Sequence, residues 1–290
     1  MLSVEDLWFG YPGGTPVLRG ASLRLEPGLA VGLLGANGSG KSTLLGAVTD
    51  SIEGKREGLI KADPDAAGPI GYATQDVALY QHLTVAENLT HAARLATRRW
   101  RIADLVEQAV DDFDLDALRD RPARFLSGGQ RRLVHLACAF VHRPAVRLLD
   151  EPTTALDFET RQKLIGLVGE WRAQDVAILV TAHYPEDVEE LCSSITVLSD
   201  GRTYDLGPLG GYLARQRRLG YVEHVTDDGA VKLTELHSPL GSIDDLQRAA
   251  AEAGIGGADA LHSVQVKAPS LRDLLRRDPS LRAAVAEDPR

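Results

Sequence analysis

Apolar positions along the chain follow two patterns that are typical of strands. Residues 2–8 and 17–25 alternate apolar and polar side chains, and a Pro-Gly-Gly stretch between them predicts a connecting loop. Residues 29–34, 146–149 and 176–180 are instead continuous apolar runs, which favour strands buried on both faces. The pattern therefore predicts two half-buried strands at the start of the chain and three fully buried strands after them.

Helical segments separate the buried strands. Residues 41–48 predict a helix directly after the run 29–34, and the pattern stays helical over about residues 83–140. Within that stretch Thr84 and Glu87 have the spacing of a capping box, and a further helix is predicted from about residue 127 to 141. Strands that alternate with helices predict a parallel sheet covered on both faces. Near residue 200 an Asp-Gly pair between two apolar runs predicts a hairpin.

The composition changes after about residue 210. Residues 221–225 and 231–236 flank an Asp-Gly turn and predict a second hairpin. A helix over residues 242–253, a strand over 262–266 and helices beyond 270 would follow it. We predict an α/β domain over residues 1–210, with a helical subdomain over about 83–140, and a small α+β accessory domain over 211–290.

Composition narrows the classes of function. The chain has 290 residues, 44% of them hydrophobic, which is enough for a large buried core. Its net charge of −9 and its 5% aromatic content argue against nucleic-acid binding. Cys138 and Cys192 stand far apart, which argues for a reducing compartment and against a structural zinc site. We find no leader pattern and no run of the roughly 18–20 apolar residues that span a bilayer, so we expect a cytosolic chain.

Residues 35–43 read GANGSGKST and fit the phosphate-binding pattern G-x-x-x-x-G-K-[ST] between a predicted strand and a predicted helix. The glycines let backbone N–H groups approach phosphate oxygens, and the helix directs its positive end at the same anion. Lys41 adds a charge for the β and γ phosphates, and the Ser42 hydroxyl suits Mg²⁺. We predict ATP and Mg²⁺ here, with the nucleotide contacted by Gly35, Asn37, Gly38, Ser39, Gly40, Lys41, Ser42 and Thr43.

Two consecutive acids close the apolar run 146–149. Asp150 stands at the end of the predicted strand, where a P-loop needs a carboxylate for Mg²⁺. Glu151 lies one residue further, at the strand tip, where it could polarise an attacking water. We therefore predict Asp150 as a metal residue with Ser42, and Glu151 as a catalytic residue.

Residues 126–130, Leu-Ser-Gly-Gly-Gln, begin a predicted helix and form a second candidate anion cradle, here called the signature segment. Ser127 is suited to cap the helix, and Gly128 and Gly129 would expose their N–H groups. A second cradle in a chain with one P-loop makes sense if two copies pack head to tail, each completing the other's nucleotide site. With this pentapeptide, which ends at Gln130, the chain resembles the ATP-binding subunits of ATP-binding cassette (ABC) transporters.

The resemblance covers about residues 2–208 and implies a P-loop NTPase (RecA-like) core with an N-terminal antiparallel β subdomain and a helical subdomain. It also implies roles for four more residues. Tyr11 resembles the aromatic residue that stacks on adenine, and Gln75 the catalytic-site glutamine that contacts Mg²⁺ and the membrane partner. Asp157 resembles a residue of the loop that crosses the dimer interface, and His183 the switch histidine that reaches the γ-phosphate.

Three positions depart from the family pattern. Arg147 stands in a strand run where an apolar residue is usual, so we expect that strand to meet solvent or an acid there. Thr74 replaces a common proline before Gln75, and Ala182 replaces a hydroxyl residue before His183. None of these changes removes a catalytic group, and we predict an active ATPase.

Three functions are compatible with the resemblance: the ATPase subunit of a transporter with separate membrane subunits, an ATPase that works on ribosomes or DNA, and a nucleotide-dependent assembly factor. A single cassette, an acidic charge and no long coiled-coil insertion favour the transporter subunit. Such a subunit would act at the cytoplasmic side of the cell membrane with transmembrane permease subunits and a second ATP-binding subunit, identical or paralogous. We predict no nucleic-acid partner and no metal besides Mg²⁺.

The direction of transport is predicted from two further similarities. Residues 181–192 and the tail at residues 264–275 are similar to segments of ATPase subunits from drug and antibiotic exporters of the ABC-2 type. We therefore predict an exporter, with an importer as the alternative. The choice of substrate belongs to the membrane subunits.

Overall fold

Strands and helices alternate along most of the chain. In this computed structural model the described residues are 1–62, 70–96, 101–216, 221–225, 231–235 and 265–267, with Leu271, Leu275 and Leu281. The strands are β1 (Leu2–Gly10), β2 (Leu18–Leu25), β3 (Ala30–Leu34), β4 (Lys55–Ala62), β5 (Gly71–Ala73), β6 (Val146–Leu149), β7 (Ala177–Ala182), β8 (Ser194–Ser199), β9 (Arg202–Pro208), β10 (Tyr221–Val225), β11 (Val231–Glu235) and β12 (Gln265–Lys267). The helices are α1 (Lys41–Val48), α2 (Val85–Ala96), α3 (Ile102–Asp112), α4 (Gly128–Phe140), α5 (Phe158–Ala173), α6 (Pro185–Leu191) and α7 (Leu209–Gln216).

The central sheet has six strands in the order β5-β6-β7-β3-β8-β9. The strands from β5 to β8 are parallel, as predicted. β9 is antiparallel to β8, because the predicted hairpin near residue 200 returns the chain along the sheet edge. The hairpin predicted near residue 200 is thus confirmed, and the sheet is parallel except at this edge strand. Every residue of β3, β6 and β7 is buried, which agrees with their continuous apolar runs.

Apolar layers cover both faces of the central sheet. Leu34 and Ile178 belong to a cluster that includes residues of α2, α3, α4 and α5. Their strand neighbours Leu33 and Leu179 belong to a second cluster, formed with β1, β2 and α1. Since successive strand residues point to opposite faces, the two clusters lie on opposite sides of the sheet. The sheet thus holds its carboxyl-terminal edge, where the site lies, between two packed layers.

The N-terminal strands form a separate antiparallel sheet in the order β2-β1-β4. The first two strands confirm the alternation seen in the sequence. β4 is absent from the sequence prediction because nearly all of its residues are exposed and carry no alternating apolar pattern. β5, with three residues, is too short to show a pattern of its own.

Side-chain caps begin two helices of the region 83–140. The Glu87 N–H donates to Thr84 Oγ1 at 3.2 Å, and the Thr84 N–H donates to Glu87 Oε2 at 2.8 Å. Ser127 and Gln130 make the same reciprocal pair at the start of α4, at 3.2 and 3.0 Å. The first pair confirms the predicted capping box, and the second confirms Ser127 as a cap and adds its reciprocal partner Gln130. Each cap contributes about 1 kcal/mol to helix stability.

Arg147 does not meet solvent. Its residue is 4% exposed on β6, and its guanidinium lies 4.4 Å from the Trp171 ring centroid and 5.3 Å from that of Phe140. Burial lowers the pKa of Arg147 to about 10, and the smaller effect of the Asp112 charge opposes this shift. The expectation of solvent is therefore wrong, because two aromatic faces provide the main surroundings of the cation.

The described part of the tail includes the two strands of the second predicted hairpin. β10 pairs antiparallel with β11 and with β12. The turn over 226–230 and the helix predicted over 242–253 lie outside the described residues. Leu271, Leu275 and Leu281 are buried in the same apolar cluster as the helices of the central sheet. The Leu271 N–H also donates to Glu189 Oε1 on α6 at 2.6 Å.

Candidate functional site

The loop between β3 and α1 closes around its own lysine. Lys41 is buried, and its Nζ donates to the carbonyls of Gly35 at 2.8 Å and Ala36 at 3.3 Å. Gly40 precedes the helix with φ of 105°, a left-handed conformation that favours glycine. A Cβ on Gly35 would lie 2.6 Å from the Leu198 carbonyl oxygen, so a side chain does not fit there. The predicted phosphate loop thus has a backbone conformation that requires glycine at these two positions.

Asp150, the first residue after β6, is held by two hydroxyl groups. Thr181 Oγ1 donates to Asp150 Oδ1 at 2.6 Å, and Tyr72 OH donates to Oδ2 at 3.3 Å. Burial, followed by the charge of Asp150, raises the pKa of Tyr72 well above its usual range, so the phenol stays a donor. The Glu151 N–H in turn donates to Thr181 Oγ1 at 2.9 Å. Neither hydroxyl residue is part of the sequence prediction, although a threonine within a wholly buried strand is a signal for such a role.

A chain of hydrogen-bonding groups connects Glu151 to three distant segments. Gln75 Nε2 donates to Glu151 Oε2 at 2.9 Å, and His183 Nε2 lies 2.5 Å from Glu151 Oε1. On the other side of the ring, His183 Nδ1 lies 3.3 Å from Lys41 Nζ. A tautomer that donates from Nε2 and accepts at Nδ1 satisfies both contacts. The structure therefore brings together four residues that the sequence predicts as functional.

These residues line one cavity. It has a volume of about 540 Å³ and is also lined by Tyr11, Asn37, Gly38, Gly40, Ser42 and Thr43. Tyr11, whose residue is 44% exposed, places its hydroxyl 3.2 Å from Thr43 Oγ1. Ser39 lines a neighbouring cavity of about 400 Å³ with Asn37 and Gly38. Asp150 lines neither cavity and is almost wholly buried.

The charges around Lys41 balance its burial in part. Burial lowers the pKa of Lys41, and the negative charges of Glu151 and then Asp150 oppose that effect. Lys41 therefore lies between a phosphate-type loop and two carboxylates, of which Glu151 lines the cavity. An anion that enters the loop would compete with these carboxylates for Lys41.

The signature segment and Asp157 do not line this cavity. Asp157 Oδ1 instead accepts from the Thr160 N–H at 2.8 Å and caps α5. A Cβ on Gly129 would lie 2.4 Å from Thr160 Oγ1 and 2.9 Å from Asp157 Oδ2. The starts of α4 and α5 therefore meet closely, and they form a second group of predicted residues apart from the cavity of Lys41.

Two kinds of feature are absent from the part of the chain that the structure describes. There, no group of three or more His, Cys, Asp or Glu side chains is placed to hold a metal ion. Within the same residues, no helix has both the length and the apolar character needed to cross a membrane.

Residues 18–154 match the protein family described as ABC transporter. The linearmycin resistance ATP-binding protein LnrL of Bacillus subtilis is 29% identical over 225 residues, which cover 71% of this chain and 69% of LnrL. The molybdenum import ATP-binding protein ModC of Aromatoleum aromaticum is 32% identical over 199 residues, covering 64% of this chain and 52% of ModC. The sulfate/thiosulfate import ATP-binding protein CysA 2 of Rhizobium meliloti is 38% identical over 209 residues, covering 67% and 56%. The chain thus spans about half the length of these two import proteins.

Solved structures show the same fold. An ATP-binding subunit of an ABC transporter matches with a TM-score of 0.64 at 26% identity, over 74% of this chain and 92% of that one. The cbiO1 protein of Clostridium perfringens, part of the ABC transporter complex cbiONQ, matches with a TM-score of 0.64 at 27% identity, over 73% and 90%. These matches confirm the predicted P-loop NTPase core with its mixed α/β layers.

Relatives named for import and for resistance both match, so the comparisons do not single out an exporter subgroup. Family match, fold and cavity point to the same kind of domain. Residues 18–154 are similar to the ATP-binding domain of ABC transporters, a family of ATPase domains that use ATP and Mg²⁺.

Proposed function

We propose that the chain is the ATP-hydrolysing subunit of an ABC transporter that exports its substrate through separate transmembrane subunits. The observation that supports hydrolysis most directly is the position of Glu151. Its carboxylate accepts hydrogen bonds from Gln75 and His183 beside Lys41, at the wall of the predicted nucleotide cavity. A carboxylate held in this way can take a proton from a water that attacks the terminal phosphate.

The residues of the phosphate loop would bind the nucleotide. The N–H groups of residues 35–43 and the start of α1 would hold the phosphates, and Lys41 would exchange its carbonyl partners for phosphate oxygens. Tyr11 at the cavity mouth offers its ring to adenine. His183, which already contacts both Glu151 and Lys41, would bind the terminal phosphate.

The donor set suits Mg²⁺. Ser42, Gln75 and Asp150 offer a hydroxyl, an amide and a carboxylate oxygen, which are the hard ligands that this ion prefers. Both oxygens of Asp150 accept hydrogen bonds from hydroxyl groups, and they keep lone pairs for metal-bound water. When bound, Mg²⁺ would neutralise the charge that develops on the transferring phosphate.

A second subunit would complete the site. Ser127, Gly128, Gly129 and Gln130 lie outside the cavity of their own chain, as a cradle for a partner's nucleotide would. Asp157 packs against the same helix start and would lie at the same interface. Closing of two subunits on two ATP molecules would then act on transmembrane subunits docked near Gln75, at the cytoplasmic face of the membrane.

Glu151→Gln tests the catalytic role. The substitution keeps the shape of the side chain but removes its basicity, so we expect the turnover number to fall roughly 10²- to 10⁴-fold. The ATP dissociation constant should stay within a few-fold, and ATP should now hold two subunits together in light-scattering measurements. Glu170→Gln, an exposed acid on α5, is the matched control and should turn over normally. Unchanged turnover in Glu151→Gln would contradict the assigned role.

Lys41→Ala tests the binding site, and Ser127→Arg tests the shared site. Lys41→Ala should abolish tight ATP binding in an equilibrium titration. Ser127→Arg should leave ATP binding to the single subunit intact but prevent the ATP-dependent dimer, because a large side chain would fill the cradle. Dimer formation by Ser127→Arg would rule out the signature segment as part of the interface.

Export is favoured over import by the extent of the matches. LnrL, named for resistance, is covered over 69% of its length, whereas the importers ModC and CysA 2 are covered over 52% and 56%. The importer remains the second candidate, since CysA 2 has the higher identity. In cells that carry Glu151→Gln in place of the normal chain, loss of export would lower the tolerated concentration of a toxic compound. Loss of import would instead reduce uptake of a nutrient.

A further inference from the structure

Arg132 on α4 is a buried arginine with an unusual set of partners. It is 4% exposed, and it lies on the first turns of the helix that begins with the signature segment. Among the described residues, every hydrogen bond that the Arg132 side chain donates goes to a backbone carbonyl group. Nη1 donates to Thr74 O at 2.8 Å and Gln75 O at 2.6 Å, Nη2 donates to Asp150 O at 2.8 Å and Glu151 O at 2.9 Å, and Nε donates to Pro152 O at 3.4 Å.

The five carbonyls belong to two segments that are distant in the sequence. Residues 74–75 follow β5 and carry Gln75, whereas residues 150–152 follow β6 and carry Glu151. Nη1 donates to the first segment and Nη2 donates to the second. Because the guanidinium is planar and its N–H directions are fixed, it sets the spacing between the two backbones. That spacing determines whether the Gln75 amide reaches the Glu151 carboxylate at the observed 2.9 Å.

His135, one helical turn further, contacts the same loop. The Ala78 N–H donates to His135 Nδ1 at 3.3 Å, and His135 Nε2 lies 3.3 Å from Thr74 O. Two side chains of α4 therefore hold the segment after β5. The helix start at Gly128 lies about 6 Å from Arg132 at the usual rise per residue, so a shift of the signature segment would move the loops with it.

Nearby carboxylates offset part of the cost of burying the charge of Arg132. Burial lowers its pKa, and the charges of Asp150, Glu151 and Asp76 oppose this effect in that order. A buried charge is costly unless its hydrogen bonds are made, and an apolar residue of similar volume would fill the same space at lower cost. Filling space therefore does not account for an arginine at this position, whereas joining two catalytic loops does.

We propose that Arg132 is a positioning residue for hydrolysis. It holds the loops of Gln75 and Glu151 at a fixed spacing and connects both to the signature segment through α4. This inference rests on the proposed function, in which Glu151 activates water. A small displacement of Glu151 from its working position is enough to slow such a reaction by about 10²-fold.

The test compares Arg132→Lys and Arg132→Gln with Arg143→Gln, an exposed arginine just beyond the same helix. We expect the turnover number to fall about 100-fold in Arg132→Gln and about tenfold in Arg132→Lys, since an ammonium keeps the charge without the fork. The ATP dissociation constant should stay within about threefold, because the phosphate loop is untouched. Hydrogen exchange should become faster in both segments, 74–78 and 150–152, and Arg143→Gln should match the unsubstituted chain.

Several results would overturn the proposal. They are a turnover number within twofold of normal in folded Arg132→Lys, faster exchange in only one segment, and failure of both variants to fold. If Arg132→Gln alone does not fold, Arg132→Lys decides the question. If the unsubstituted chain does not hydrolyse ATP, the proposed function fails and this inference fails with it. If the unsubstituted chain and Arg132→Lys hydrolyse ATP equally, only the role of Arg132 is refuted.

Discussion

The pair of Arg147 and Trp171 makes a quantitative prediction about stability. Burial lowers the pKa of Arg147 to about 10, and at about 1.4 kcal/mol per pH unit the buried charge costs roughly 3 kcal/mol. The ring of Trp171, 4.4 Å from the guanidinium, returns about 2 kcal/mol as a desolvated cation–π contact, and Phe140 adds to it. The two terms nearly cancel. Arg147→Met should therefore change the free energy of unfolding by no more than about 1 kcal/mol.

Trp171→Leu should behave differently, because it removes the ring and leaves the cation buried. The lost packing of a nearly wholly buried tryptophan costs about 2–3 kcal/mol, and the lost contact with Arg147 adds about 2 kcal/mol. In the Arg147→Met background only the packing cost should remain. The double-mutant cycle should therefore give a coupling of about 2 kcal/mol.

Denaturant unfolding of the four proteins, followed by circular dichroism at pH 7.5, measures these free energies. Circular dichroism is preferable to fluorescence, because Trp171→Leu removes a fluorophore and would change the fluorescence signal itself. A coupling below about 0.5 kcal/mol would refute the cation–π account of Arg147. A loss of more than about 3 kcal/mol in Arg147→Met would instead show that the charge has a stabilising partner beyond the rings.

Three further predictions concern other buried groups. Burial, and then the charge of Arg132, lowers the pKa of His135. The folded protein therefore keeps this imidazole neutral, while the unfolded chain gains a proton below about pH 6.5. The stability of the protein, measured by thermal unfolding, should fall from pH 7.5 to 5.5, and it should fall less in His135→Gln. Leu271→Ala and Leu275→Ala should each lower stability by about 2–5 kcal/mol, since both leucines are wholly buried, and unchanged denaturant midpoints would contradict this. Burial raises the pKa of Cys192 far above its usual range, so in a Cys138→Ser background it should react with a thiol reagent at pH 8 only after denaturant is added.

The sequence predicts those elements whose surroundings are uniform. β3, β6 and β7 are buried on both faces, so their apolar runs stand out, and the predicted bounds of α1 and β6 agree with the structure. β4 escapes prediction because it is held mainly by backbone pairing with β1 and exposes most of its side chains. Arg147 is misjudged for a related reason. A charge in a strand suggests water or an acid, and the sequence does not show which aromatic rings will stack on it.

The site is predictable where its residues are contiguous. The phosphate loop and the pair Asp150 and Glu151 are compact patterns, and the structure places most of them around one cavity. The contacts that join separate segments cannot be read in this way. Arg132, Tyr72 and Thr181 act through partners that lie between 18 and 78 positions away, so their roles emerge only with the fold.

The order of strands in the central sheet also has a consequence during synthesis. β3 carries the phosphate loop, yet both of its neighbours, β7 and β8, are translated more than about 140 residues later. At a synthesis rate of about 5–20 residues per second, β3 has no neighbouring strand on either side for roughly 7–30 s. Throughout that interval its apolar side chains and the loop around Lys41 lack the sheet that shapes them. The nascent chain therefore has an exposed segment that is open to chaperones or to aggregation, and its own part of the nucleotide site forms only near the end of the domain.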